Sequence, residues 1–144
     1  MDTKFHKGKM MIKAKVLDIQ NEQNLHIVKF DFNGTILKMM SLALNEKIKI
    51  GVEVILNIKS THMALAKEFS GIVSYSNQIK AVVDEVENGK LLSSIKLKVH
   101  DTILESIITA DSSKRMNIQK DDDITIMVKA SEISILEVLD AWSS

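Results

Sequence analysis

Cysteine and proline are both missing from this chain of 144 residues. Without cysteine there is no disulfide and no thiolate-bound metal. Aromatic side chains are few: four Phe, one Tyr and one Trp. That is too few for the row of stacking platforms that binders of single-stranded nucleic acid place in a basic groove. Neither sign of charge is in excess, the formal net charge being zero, which excludes a general nucleic-acid or anionic-membrane surface. An anion bound here is bound locally. No apolar run reaches the roughly 18 residues of a membrane span. The opening "MDTKFHKGKMMIKAKV" has neither the continuous apolar stretch nor the small-residue cleavage site of a secretory signal. A cytoplasmic location is the expectation, with no membrane partner.

What the chain does contain is the 45% apolar and 26% charged balance of a globular protein, rich in Ile, Val and Thr that suit strands. Of its five glycines, two follow asparagine, in Asn33-Gly34 and Asn88-Gly89. Asn-Gly between alternating apolar runs signals a tight hairpin, because both residues tolerate positive φ. "HIVKFDF-NG-TILKMM" and "IKAVVDEVE-NG-KLLSSIKLKV" each read as two strands and a turn.

A repeat organises the rest. At an offset of 70, Val54 falls on Ile124, Leu56 on Ile126, Ile58 on Val128, Lys59 on Lys129, Met63 on Ile133 and Leu65 on Ile135. Upstream, Ile48 meets Ile118, and the segments "SLALNEK" and "DSSKRMN" are each expected to hold a short helix, capped by Ser41 and Asp111. The first halves align less well, as if the second copy carried about a dozen extra residues around Gln78–Leu91. The expected architecture is all-β: two tandem OB-like small barrels with one short helix each, spanning 5–69 and 70–140.

Both copies end a strand on a lysine followed by small residues: Lys59-Ser60-Thr61 and Lys129-Ala130-Ser131. In the second, "IITADSS" precedes this turn and adds the hydroxyls of Thr109 and Ser112 near a helix start. One lysine with many neutral donors is the equipment for a small tetrahedral oxyanion. Hydrogen bonds from neutral groups stabilise its charge without burying further cations. No nucleophile sits beside a base, so no catalytic residue and no enzyme activity is expected.

The stretch "IITADSSKRMNIQKDDDITIMVKASEISI", Ile107 to Ile135, resembles the Mop or TOBE domain of molybdate-binding proteins. There a strand ends in Ile-Thr, a Ser follows three residues on, and a later strand ends in Lys-Ala-Ser/Thr. "MMSLALNEKIKIGVEVILNIKSTHMAL", from Met39 to Leu65, is similar, with Met39 and Leu42 where Thr and Ser are usual. The two copies resemble the tandem molbindins, and also the paired Mop module of molybdate-responsive repressors, here without a DNA-binding domain. The resemblance implies storage or homeostasis of molybdate or tungstate as bound ligand, without an organic cofactor. It also implies a homo-oligomer, commonly a trimer, with sites at subunit interfaces. The family's Ser-Ala-Arg-Asn opening is replaced by "KGKM" and "ALAK", where Lys9 could supply one charge but not arginine's fork. Thr109, Ser112, Lys129 and Ser131 are expected to act together, making the second copy the stronger anion site. Two other functions compete: a regulatory module that signals the anion to a partner protein, and an OB-like nucleic-acid binder, which zero net charge disfavours.

Three further features read as structural. His62, opposite Glu132 in the repeat, reads as an exposed histidine. Asp121-Asp122-Asp123 lacks the ligand pattern of a calcium loop, and the eight methionines read as core filler.

Overall fold

A computed structural model describes residues 11–139; Lys9, the "KGKM" segment and Trp142 lie outside the described residues. The order is β1 (Ile12–Glu22), β2 (Leu25–Phe32), β3 (Thr35–Ser41), β4 (Glu53–Ile58), a 3-10 turn (Ser60–His62) and β5 (Ala64–Ala66). Then follow β6 (Asn77–Asn88), β7 (Leu92–Val99), β8 (Thr102–Thr109), α1 (Ala110–Arg115), β9 (Asp123–Val128), a second 3-10 turn (Ala130–Glu132) and β10 (Ile133–Leu139).

The chain is all-β in the expected sense. Strict alternation along β1 and β6 turns every second side chain into the core: Ile12, Ala14 and Val16 in one, Ile79, Ala81 and Val83 in the other. These and the inward residues of the other strands form one hydrophobic cluster that includes Phe30, Phe32, Leu37, Leu97, Leu104 and Ile126. The first hairpin turns as its sequence requires. Asn33 and Gly34 have φ of 50° and 95°, and the Gly34 N–H donates to Asp31 Oδ1 at 2.8 Å. The second hairpin forms with a different turn. Gly89 does not take positive φ; its N–H donates to Leu92 O at 2.8 Å, and Asn88 instead accepts from the hydroxyls of Ser93 and Ser113.

The repeat is closer than the sequence suggests. β1 and β6 carry a bulge at matching positions, between Val16 and Asp18 and between Val83 and Glu85. Ile19 pairs Val28 as Val86 pairs Ile95, so the first halves superpose at an offset of 67 without a dozen extra residues. The difference lies later. Thirteen residues separate Thr109 from β9, but ten separate Leu42, which holds the matching place after β3, from β4. The shorter segment has no helix. The expected helix near "SLALNEK" is therefore absent among the described residues, and Ser41 caps nothing; its hydroxyl bonds locally to Ala43 O. Asp111 is not the cap of α1 either. Thr109 is, accepting from Ser112 N at 3.1 Å, and Asp111 lies in the first turn.

The two five-stranded antiparallel sheets run β10-β4-β1-β2-β3 and β5-β9-β6-β7-β8. Each curls until its edge strands approach, β3 toward β10 and β5 toward β8. The break between residues 69 and 70 thus divides the repeat but not the sheets. β10 of the second repeat completes the first sheet, pairing Ile135 with Leu56, and β5 of the first completes the second, pairing Leu65 with Ile126.

Candidate oxyanion site

The site begins where β4 and β9 end. Lys59 and Lys129 have extended backbones, with φ/ψ of −67°/138° and −72°/147°, and each opens a one-turn 3-10 helix. The turn closes when His62 N–H donates to Lys59 O at 2.9 Å, and Glu132 N–H to Lys129 O at 2.9 Å. That leaves the amides of Ser60 and Thr61, and of Ala130 and Ser131, at the open start of each turn, where a helix has no internal acceptor for them. Both lysines, with Thr61 and Ser131, are exposed. Two equivalent donor-rich corners result.

Each corner is seated on the other repeat. The Ser60–His62 turn packs on β8, and the Ala130–Glu132 turn packs on β3. The buried Ser106 hydroxyl fixes the first junction by donating to Met63 O at 2.9 Å. Asn77, fully buried, fixes the second. It accepts from Lys38 N at 2.7 Å and donates to Lys38 O at 2.9 Å and Val128 O at 3.2 Å, tying β3 to the strand end before Lys129.

This crossing separates residues that the sequence had grouped. Thr109 and Ser112 do come together: Thr109 Oγ1 donates to Ser112 Oγ at 2.9 Å. Thr109 ends β8, the strand on which the Ser60–His62 turn packs, and Ser112 lies in the first turn of α1. The Ala130–Glu132 turn instead packs on β3. Ser131 there shares a groove of about 610 Å³ with Met39, Met40, Leu42 and Ile135, and Leu42 is 75% exposed. The sequence also passed over Arg115, the chain's only arginine. One helical turn after Ser112, its Nη2 donates to Ser112 Oγ at 3.1 Å, which brings a guanidinium to the hydroxyl pair. Its spacing from Ser112, three residues on a helix, was the available signal.

The acidic run is a structural tie. Asp122 Oδ2 accepts from Gln119 N at 2.8 Å and meets Lys67 Nζ at 3.0 Å. That backbone N–H first, and the lysine second, hold its carboxyl below the usual carboxylate range. Lys67 also donates to Met116 O and Asn117 O, at 3.2 and 2.7 Å, closing the end of α1. Among the described residues no cluster of three or more His, Asp or Glu is placed to hold a metal ion, and no helix is long and apolar enough to cross a membrane.

Two curled sheets, a shared core and paired lysine-ended turns define a class: tandem small-barrel proteins. Residues 74–135, most of the second repeat, match the TOBE domain. The chain's fold is that of the cytoplasmic molybdate-binding protein ModG, whose crystal structure holds molybdate. The TM-score is 0.81 at 19% identity, over 87% of this chain and 93% of that one. A molybdate-binding protein from Sporomusa ovata is 30% identical over 46% of this chain and 100% of its own, with a TM-score of 0.45. No curated protein matches the chain.

Proposed function

We propose that this protein binds molybdate or tungstate and serves in their storage or homeostasis. The observation that carries the reading is the crossed pair of turns. Each puts a lysine and two free-facing amides at a strand end of the other repeat. At one of them, Thr109, Ser112 and Arg115 add two hydroxyls and a guanidinium. A tetrahedral dianion needs that mixture of many donors and few charges. The TOBE match over residues 74–135 and the ModG fold support the same ligand. The composite site is therefore Lys59, Ser60 and Thr61 with Thr109, Ser112 and Arg115; the corner of Lys129, Ala130 and Ser131 is its weaker counterpart. Nucleic acid is disfavoured on a structural ground too, since Phe30 and Phe32 are buried and offer no stacking face.

Self-association into a homo-oligomer, with a trimer the expectation, goes with this reading. Ile72, Leu91, Leu92 and Leu42 are large apolar side chains at the surface. Light scattering of the protein at micromolar concentration tests it, a monomer counting against it. The ligand is tested by calorimetric titration with molybdate, tungstate and sulfate. Molybdate and tungstate should bind alike, and sulfate at least about tenfold more weakly, because a fixed set of donors fits one ion size. Sulfate binding within a few-fold of molybdate would reduce both lysines to ordinary surface charges.

A further inference from the structure

The two lysine-ended turns touch. His62 closes the first and Glu132 closes the second, and His62 Nδ1 lies 3.5 Å from Glu132 Oε2. These residues hold equivalent places in the repeat, so the contact lies where the two copies meet face to face, near the local axis that relates them. Both side chains are partly buried, with 37% and 30% of their surface exposed. Each is one residue from the amides that the oxyanion reading assigns to its corner. The pair is therefore shared between the two corners rather than belonging to one.

We propose that His62 and Glu132 form a proton-operated gate on anion affinity, in which a proton taken up by His62 strengthens binding at the flanking sites. The inference rests on the oxyanion reading above and deepens it. With His62 neutral, the pair carries the one negative charge of Glu132 and repels an approaching dianion. With His62 protonated, the pair is neutral as a whole and the repulsion is cancelled. Histidine is the side chain whose charge changes between about pH 5 and 8. The other charged groups on the packed elements are Lys59 and Lys129 at the turns, Glu105 on β8 and Lys38 on β3. His62 is the one histidine among these groups, and histidine is the residue type suited to respond in that range. By linkage the effect is reciprocal: a bound dianion favours the imidazolium, and binding takes up protons. A unit charge about 10 Å from a dianion in a water-like medium changes its binding roughly fourfold, and more where the dielectric is lower.

The test is calorimetric titration of the intact protein with molybdate between about pH 5.5 and pH 8, for wild type, His62→Gln and Glu132→Gln. All three share the anion's own protonation, so differences between them belong to the protein. The wild type should bind about fourfold or more tightly at the acid end. His62→Gln should lose most of that slope and stay near the weak, high-pH affinity. Glu132→Gln should bind more tightly than wild type at pH 8, with its response moved to lower pH, because the imidazolium has lost its partner. A wild-type slope in His62→Gln, or no gain at high pH in Glu132→Gln, overturns the gate while leaving the anion site standing. Absence of molybdate binding by wild type at every pH overturns the oxyanion reading, and the gate with it.

Discussion

Lys59 and Lys129 have the same backbone, the same turn and the same place in the repeat, yet the crossing gives them different neighbours. The turn after Lys59 packs on β8, the strand that leads to the Thr109 and Ser112 hydroxyls and Arg115; the turn after Lys129 packs on β3, and its Ser131 shares a groove with Met39, Met40 and Leu42. A charge among fixed dipoles holds an anion better than a charge beside apolar side chains, which neither share the negative charge nor orient the ion. Lys59→Ala should weaken molybdate binding by about tenfold or more, the scale of a lost charge-assisted hydrogen bond, and Lys129→Ala should cost less. Titration of the two variants under one buffer decides it, and equal losses would mean that the corners are not unequal. The sequence alone favours the opposite order, since it places Thr109, Ser112, Lys129 and Ser131 on one continuous stretch. What the structure adds is which turn each strand end meets: the Ser60–His62 turn lies on β8 and the Ala130–Glu132 turn on β3. Proximity along a chain says little about proximity across a strand exchange. Arg115 escaped for a related reason, since it looked like one more charge on a short helix until its guanidinium was seen on Ser112.

At the scale of elements, the unequal loops before β4 and β9 explain more than any single residue. Three additional residues let the second copy wind α1, and Lys67 then secures its end to β5 through Met116 O, Asn117 O and Asp122. In the first sheet the residue 70 positions on from Lys67 is Glu137 of β10, a carboxylate that cannot donate to carbonyls, and it lines the groove there. Asp122 is the member of this tie that titrates. Its folded carboxyl is held below the ordinary range, so in the acid window the unfolded chain binds more protons than the folded one. The tie is therefore fully present above the ordinary carboxylate range and is lost as pH falls through the lowered value. Asp122→Asn should lower the melting temperature at neutral pH and flatten its decline below about pH 4. Thermal melts against pH check this, and an acid limb as steep as wild type would assign the decline to other carboxylates. Strand positions and the first Asn-Gly turn were readable because alternation and positive φ are local properties. The second turn was not, because Asn88 spends its side chain on Ser93 and Ser113, and the latter lies 25 residues away.

For the whole molecule, the decisive fact is that neither repeat owns its sheet. β10 lies beside β4 from Ile133 to Leu139, and β5 lies beside β9 from Ala64 to Ala66. Cutting the chain at the repeat boundary would strip the first sheet of a complete edge strand and expose Leu56 and Val54, which are now fully buried. Residues 11–69 and 70–139 made separately should each lack the cooperative melt of the intact chain, and mixing them should restore it in part. Circular dichroism with thermal melts is the measurement, and two independently folded halves would contradict the shared core. The repeat and the all-β class could be read from residue patterns, since both are written in apolar spacing. The exchange could not, because β5 and β10 carry the same alternation whichever sheet they join.

The exchange also sets a timetable for a chain emerging from a ribosome. The strand that finishes the first sheet, β10, lies about 75 residues beyond its neighbour β4, so the opening half must wait, edge unpaired, until those residues have been made. Domains that close early are sheltered early; this one exposes Ile55 and Leu56 on a free strand until β10 emerges. A pause between the codons for β4 and β10 would lengthen that interval, and the nascent protein would then meet chaperones, or other copies of itself, as a half-finished sheet.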